Sequence, residues 1–433
     1  MSNELIGVLG LVVLLVLIGF RVWIGVALGL VGFLGIALML DWHAALSAVV
    51  IVPFAYLDNY VTTAIPMFTV MGFIVAESNI GKNAFDCANR FLSRTTGGLA
   101  SATVAAAGMV GAVTGSDNVS SVIISKLALP ELKRHGCADS LATASVAAAS
   151  PVAILLPPSM ALLMFGMLTD TSIASLFMAG IIPGILVLIG YVIAINITCR
   201  IKPNLCPKGE KFTWKEKLQS LKGAAPILIL FLLVLGSIYL GIATPTEAGA
   251  IGAFGALIIA IAGGGMTLGK VRNILLNAVL SIGFVVFLLM GTFIFIRFMA
   301  LSRVPFMVSN LILGVELAPW MVMVLIGFMY LIVGAVIPQI PLQILTVPII
   351  APAVVAMGFD IIWFGIFVNI MMGLAAVTPP LGMNVFIVSG LSKVPVTTVY
   401  RGILPFVISD IVVIILLAIF PILALWLPRM MLA

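Results

Sequence analysis

Residues 94–135 read RTTGGLASATVAAAGMVGAVTGSDNVSSVIISKLALPELKRH, and the topology of the whole chain turns on where they are placed. The stretch is apolar and rich in small residues from Arg94 to Val113, then breaks at Thr114-Gly115-Ser116-Asp117-Asn118. It becomes helical in pattern again through Ser125 and reaches Lys133, Arg134 and His135. Both ends are basic and the middle is polar. Short loops rich in Lys and Arg stay on the cytoplasmic side of a membrane, so two full crossings would strand one basic end outside. A re-entrant hairpin, entering from the cytoplasm with its tip inside the membrane, satisfies both ends.

The rest of the chain sets that hairpin in a membrane. Of 433 residues, 63% are apolar and 8% charged, against roughly 25% charged in a soluble domain. That balance excludes disorder, fibres, nucleic-acid binding and disulfide-built secreted scaffolds, and leaves room for about ten to twelve crossings. The fold class expected is an all-α polytopic membrane protein. The net charge of +6 is concentrated in short segments, above all Arg200 to Lys222; such a loop is a cytoplasmic anchor. Counting crossings from there puts both termini outside, with Leu5 to Phe20 running inward to Arg21. The start, Met1 to Glu4, lacks the basic n-region of a signal peptide. Cys87, Cys137, Cys199 and Cys206 show no CxxC or metal spacing, so free thiols are expected.

The second half repeats the first. Gly111-Ala112-Val113 recurs as Gly334-Ala335-Val336, Pro157-Pro158 as Pro379-Pro380, and Gly180-x-x-Pro183 as Gly402-x-x-Pro405, at offsets of 222 or 223 residues; Met71-Gly72 and Met290-Gly291 fit at 219. Five crossings per half is an odd number, so the halves have opposite topology. A second hairpin, about 319–358 with its tip at Ile337-Pro338-Gln339, then enters from outside. The absence of Lys and Arg between Val304 and Ser392 agrees with that. The boundaries expected are a first repeat over 1–222 and a second over 223–433. The hairpins with their interrupted spans cover 94–170 and 318–392, flanked by scaffold spans in 1–93, 171–199, 223–317 and 399–428, with 200–222 as the cytoplasmic loop. Inverted repeats with broken helices mark secondary transporters.

Bare backbone groups are costly in lipid, so broken helices persist where protein, water or a ligand satisfies them. Freed carbonyls with hydroxyl and amide oxygens make a hard-oxygen site suited to Na⁺, while half-helix N-termini offer N–H groups to an anion. The Na⁺ candidates are Gly115, Ser116, Asn118, Pro157, Gln339, Thr378, Gly382 and Asn384; the substrate candidates are Ser116, Asp117, Ser159, Pro380 and Asn384. Each has a structural alternative: Pro-Pro as a kink, the Ser and Asn side chains as interhelical hydrogen-bonding groups, Asp117 as a helix cap or a titrating group. Thr244-Pro245-Thr246-Glu247 has capping-box spacing with Pro at the first helical position. Arg297, within a Phe-Ile run, is a functional candidate or a snorkelling side chain. Asp139 and Asp360 are expected at helix starts. There is no GxxxxGK[ST], no HExxH and no His/Cys/carboxylate cluster, so neither an ATP site nor an enzyme is expected.

These motifs, in this order, resemble the large membrane subunit of tripartite ATP-independent periplasmic (TRAP) transporters. The resemblance rests on Gly115-Ser116, Leu156-Pro157-Pro158-Ser159, Gly180-x-x-Pro183-Gly184, Ala243-Thr244-Pro245-Thr246-Glu247-Ala248 and Thr378-Pro379-Pro380-x-Gly382-x-Asn384-x-Phe386, and covers nearly the whole chain. Asp117 and Asn118 depart from the family, which usually has Ser and small residues there. The resemblance implies an elevator in a bacterial or archaeal inner membrane, in contact with lipid and driven by Na⁺ as coupling ion, with no organic cofactor. It also implies a small four-span membrane subunit and a periplasmic substrate-binding protein that delivers an organic acid, such as a dicarboxylate, sugar acid or sulfonate. The competing reading is a stand-alone dicarboxylate/ion symporter without a binding protein. A channel is a third class, which the lack of a repeated filter-like or charged-ring segment disfavours.

Overall fold

The computed structural model describes every residue except Met1, Arg21, Gly265, Val315, Glu316 and Ala433. Arg21, expected at the inner end of the first crossing, therefore lies outside the described residues. Among the described residues all regular structure is helical. The first half contains α1 (Asn3–Gly19), α2 (Ile24–Met39), α3 (Trp42–Leu57), α4 (Ala64–Glu77) and α5 (Ile80–Leu92). It continues with α6 (Gly98–Thr114), α7 (Asp117–Arg134), α8 (Asp139–Ala149), α9 (Met160–Thr169) and α10 (Ile173–Ile201). The second half contains α11 (Trp214–Tyr239), α12 (Pro245–Ala262), α13 (Leu268–Ser302), α14 (Val304–Gly314) and α15 (Pro319–Gly334). Then follow α16 (Gln339–Ala356), α17 (Ile361–Ala375), α18 (Met383–Ser392), α19 (Val396–Ile419) and a terminal α20 (Ile422–Leu432). Among the described residues, seven helices are long and apolar enough to cross a membrane. Most of the shorter ones are the pieces that the sequence marks as broken.

The repeat is visible element by element. Helices α5 to α10 start 221 to 224 residues before α14 to α19, in the same order. One difference is instructive: α13 runs unbroken for 35 residues where the first half has α3, a turn and α4. The halves also exchange partners, because α7 packs on α18 while α16 packs on α9.

The ends of the helices show the inversion. Arg90 donates from Nη1 to the Glu216 carbonyl at 3.1 Å, Ser93 Oγ to the Glu210 carbonyl at 2.9 Å, and Lys133 Nζ to the Ser392 carbonyl at 3.3 Å. The basic segments around 82–94, 133–136, 200–217 and 393 therefore meet at one end of the molecule. Helix α6 starts there and α7 returns there. At the opposite end the Trp363 indole donates to the Leu417 carbonyl at 2.9 Å, which is where α15 begins, α16 ends and α17 begins. The two helix pairs thus enter from opposite ends. In the first, the Gly-Ala-Ser sequence of α6 lets α7 lie close along it. In the second, bulky Trp, Met, Phe and Tyr side chains on α15 keep α16 further off, and a Tyr330–Thr346 hydroxyl pair at 2.8 Å bridges the gap.

Packing groups α10 and α19 with the hairpins. The sequence reading placed 171–199 and 399–428 among the scaffold spans, yet α10 rests on α6, α9, α17 and α19, and α19 rests on α8, α17 and α18. The reason lies in the repeated Gly-x-x-Pro. Gly180 presses on the Leu155 carbonyl at the first break, and Gly402 on the Ser140 carbonyl of α8, with no room for a Cβ at either. A second difference concerns the cysteines. Cys137 and Cys206 form a disulfide, while Cys87 and Cys199 are free and buried. The turns that carry the bonded pair lie side by side, with Ala138 N–H donating to the Leu205 carbonyl at 2.7 Å; a separation of 69 residues hides this from spacing rules.

The other helices are organised around α2 against α13 and α4 against α12, a pairing that also respects the repeat. In α2 a line of glycines, Gly25, Gly29, Gly32 and Gly35, faces α13, and the closest approach is between Gly291 and the Gly25 carbonyl. Between membrane helices, small residues act by letting backbones approach. Gly291→Ala should therefore destabilise the protein by about 1–3 kcal/mol through overpacking. Gly29→Ala meets only ordinary contact, 3.5 Å from the Gly291 Cα, and should be nearly neutral. Thermal unfolding of the two variants in detergent checks the contrast; equal midpoints would contradict it.

Candidate functional site

The first tip is built by one glycine. Gly115 ends α6 in the left-handed region at φ +61°, a conformation that costs glycine little. A methyl group there would also collide with the Pro158 carbonyl. The tip leans on the first break: Met160 N–H donates to the Gly115 carbonyl at 3.2 Å. Ser116 then starts α7 without making a side-chain cap, and the Asp117 carboxylate itself accepts from the backbone N–H groups of Asp117 and Asn118. In the second half Pro338 precedes α16, again with no side-chain cap. Two helix N-termini, one from each half, therefore border the same space: that of α7 already holds the Asp117 carboxylate, and that of α16 is uncapped, the kind of terminus that attracts anions.

That space is a cavity of about 490 Å³. Its walls include Gly115, Ser116, Asp117 and Asn118 from the first tip and Gly334 to Pro341 from the second. Ile154, Met160 and Ala161 come from the first break, and Ala376, Leu381, Met383 and Phe386 from the second. Ile24 of α2 and Phe284 of α13 close it from the other helix group. Of the residues singled out in the sequence, Gly115, Ser116, Asp117, Asn118 and Gln339 line the cavity. Pro157, Ser159, Thr378, Pro380, Gly382 and Asn384 do not; they belong to the two breaks whose neighbouring residues do.

Asp117 and Gln339 hold matched positions, each the first residue of its helix. Asp117 is buried and supplies carboxylate oxygens. The Gln339 Nε2 is buried with no partner in the protein. Buried polar groups are normally paired, so an unpaired donor in a cavity wall is an observation that points to a ligand acceptor. The Thr114 hydroxyl, one residue before the tip, is also buried and unpaired.

Asn384 sits fully buried at the second position of α18, where the interrupted helix restarts. Its Nδ2 donates to Asp117 Oδ2 at a long 3.4 Å, and its Oδ1 accepts from Ser121 Oγ at 3.2 Å. The amide therefore bridges the two halves and fixes the carboxylate from behind. Sequence reasoning missed Ser121; the available signal was its place one helical turn after Asp117 on the same face. The remaining candidates have local partners. Ser159 Oγ accepts from Leu162 N–H at 3.2 Å and so caps α9. Thr378 Oγ1 donates to the Ala375 carbonyl at 3.2 Å, and Pro380 offers its carbonyl to the Tyr400 hydroxyl at 3.5 Å. Gly382 starts α18 at φ +49°. Both Pro-Pro bonds, 157–158 and 379–380, are cis.

Three further expectations resolve cleanly. Glu247 completes a capping box, its Oε2 accepting from the Thr244 N–H and hydroxyl, both at 2.8 Å. Arg297 is exposed on α13, away from the cavity. Asp360 caps α17, with Oδ1 accepting from Ile362 N–H at 2.8 Å, and Asp139 opens α8 beside Lys133 at 3.7 Å.

The tip geometry yields a contrast. Gly136 shares a positive φ, +74°, but an added Cβ would meet nothing nearer than 3.9 Å. Gly136→Ala should therefore cost only backbone strain, about 1 kcal/mol, whereas Gly115→Ala adds a collision and should cost about 3 kcal/mol or more. Thermal midpoints in detergent measure this, and a smaller loss for Gly115→Ala would contradict the tip geometry.

Comparison with known proteins agrees with this architecture. The family model described as tripartite ATP-independent periplasmic transporter, DctM component, matches residues 11–423. The sialic acid TRAP transporter large permease protein of Vibrio cholerae is 30% identical over 380 residues, covering 87% of this chain and 88% of its own. The C4-dicarboxylate TRAP transporter large permease protein of Pseudomonas aeruginosa is 28% identical, with 86% and 87% covered. Among solved structures, the Alcanivorax borkumensis YdaH transporter superposes with a TM-score of 0.59 at 14% identity, covering 97% of this chain and 98% of that one; this likeness concerns the fold alone. With the family model matching nearly end to end, on the broken helices that build the cavity, the chain belongs to the DctM component of the tripartite ATP-independent periplasmic transporters, a family of membrane permeases and not of enzymes.

Proposed function

We propose that the chain is the permease of a Na⁺-coupled uptake system for an anionic organic acid. The observation that carries this reading is the convergence of two tips and two breaks, from opposite ends of the chain, on one cavity in a member of this family. Relatives are named for C4-dicarboxylates, sialic acid, 2,3-diketo-L-gulonate and isethionate. All four are organic anions, so the shared chemistry is a carboxylate or sulfonate. Here the anion lies against the N–H groups that open α16, with Ser116 and the Gln339 amide as further donors. Na⁺ sits on the oxygen-rich side, near Asp117, Asn118 and the carbonyls freed at Gly115 and the breaks, with Asn384 holding Asp117 in place. The cation offsets the Asp117 charge beside an anionic substrate, which makes binding of the two interdependent.

The mechanism we infer is an elevator in the inner membrane, with the basic end in the cytoplasm and the helix pairs α6–α7 and α15–α16 re-entrant. The moving group comprises α6 to α10 and α15 to α19, whose mutual packing supports treating them as one block. The scaffold comprises α1 to α4 and α11 to α13. By family membership the system also includes a small membrane subunit and a periplasmic binding protein that hands over the substrate.

Proteoliposomes holding both membrane subunits and the loaded binding protein test the coupling. Replacing Na⁺ by choline at constant pH should abolish uptake, and undiminished uptake would refute it. Asn384→Ala should raise the Na⁺ concentration for half-maximal uptake roughly five- to a hundredfold, the equivalent of about 1–3 kcal/mol for one buried hydrogen-bonding group. An unchanged Na⁺ dependence with lowered thermal stability would make Asn384 purely structural.

A further inference from the structure

The cavity continues towards the basic end. A small void of about 120 Å³ shares Ser116, Met160 and Ile340 with it, and shares Phe73 and Val119 with a further cleft of about 410 Å³. Asn118 lines both the site cavity and that cleft. The cleft lies between α4–α5 (Glu77, Lys82), α7 (Asn118, Val122, Lys126) and α13 (Asn277). On α7, Asn118, Val122 and Lys126 follow one another at four-residue intervals, so one helix face leads from the tip to an ammonium group. Nine residues at 1.5 Å each put Lys126 about 13 Å from the tip, about halfway back along the hairpin arm to Arg134.

A lysine at that depth in a membrane protein needs a partner or water. Lys126 has neither an ion pair within 4.0 Å nor a hydrogen bond among the described residues, and it is exposed to the cleft. The other charges on the cleft are Lys82, which also feels Asp86 one turn further along α5, and Glu77. The lining itself carries two cations against one anion, and Asp86 stands behind Lys82, so Lys126 is the cation of the cleft without a carboxylate beside it. An excess of one sign on a cleft wall raises the local concentration of the opposite charge.

We propose that this cleft is a second binding station for the organic anion, centred on Lys126 with Lys82, Asn118 and Asn277. Anions pass through it between the site cavity and the basic end. This deepens the transport reading and rests on it for the identity of the cargo, while the anion-attracting property stands on the geometry alone. Lys126 stands about two helical turns beyond Asn118 on α7; its part is to draw the anion out of the site cavity on release.

The test uses the intact permease in membrane vesicles, with Val122→Cys as reporter inside the cleft and Phe73→Cys on its opposite wall. The probes are anionic sulfonatoethyl and cationic trimethylammonioethyl methanethiosulfonate, applied from the basic face. The anionic reagent should react faster relative to its cationic partner than it does with a free thiol. Lys126→Gln should lower that ratio about three- to tenfold at both reporters, and Lys126→Arg should restore it. A ratio equal to that of a free thiol, or one unmoved by Lys126→Gln, overturns the station. The labelling needs no transport. Loss of sodium-driven uptake in the wild type therefore indicts the transport reading separately, and uptake with a charge-blind cleft indicts the station alone.

Discussion

An unpaired peptide group in an apolar medium is the constraint on which the rest of this structure depends. A bilayer offers no water to satisfy it, so a helix is broken within the membrane only where other groups take over. Here the chain is broken four times, at 115–116, 155–159, 335–338 and 376–382, and the breaks are brought together so that they serve one another. Gly115 offers its carbonyl to the first break through Met160 N–H, and Ala376 offers its own to Asn384 N–H at 3.1 Å. Among the described side chains, the unpaired Gln339 Nε2 lies in the wall of the cavity. In the proposed function, an anion and a cation would be recognised by leftover donors and acceptors of the backbone together with Asp117 and Gln339.

The inverted repeat gives this arrangement its economy. The first tip leans on the break of its own half through Gly115 and Met160, while α7 also packs on α18 and α16 on α9, so both halves border the cavity. The Asn384–Asp117 contact spans 267 residues and ties the halves at the cavity itself. The repeat is not symmetric in chemistry. A carboxylate stands at the start of α7 and an amide at the start of α16, so one half supplies acceptors where the other supplies a donor.

Much of this was legible in the residues. The polar centre between two basic ends located the break between α6 and α7 at Gly115-Ser116, as found. The recurrence of Pro-Pro at matched offsets located both breaks, and Thr244 to Glu247 gave the capping box. Features set by three-dimensional packing were not legible. The Gly-x-x-Pro motifs were noticed as repeats, but that Gly180 and Gly402 press α10 and α19 onto the hairpin block depends on which carbonyl lies opposite. Ser121 and the Cys137–Cys206 bond were hidden for the same reason: their partners are distant in sequence and follow no local period.

The central claim is that two oppositely inserted halves meet at one site. It is tested most directly by the sidedness of two introduced cysteines in intact and inside-out membrane vesicles, read with an impermeant thiol reagent. Lys211→Cys lies in the basic connector and Pro319→Cys at the start of α15, and both positions are exposed. The account predicts labelling of residue 211 only from the cytoplasmic face and of residue 319 only from the outer face. Labelling of both from the same face would contradict the inversion, and with it the shared site.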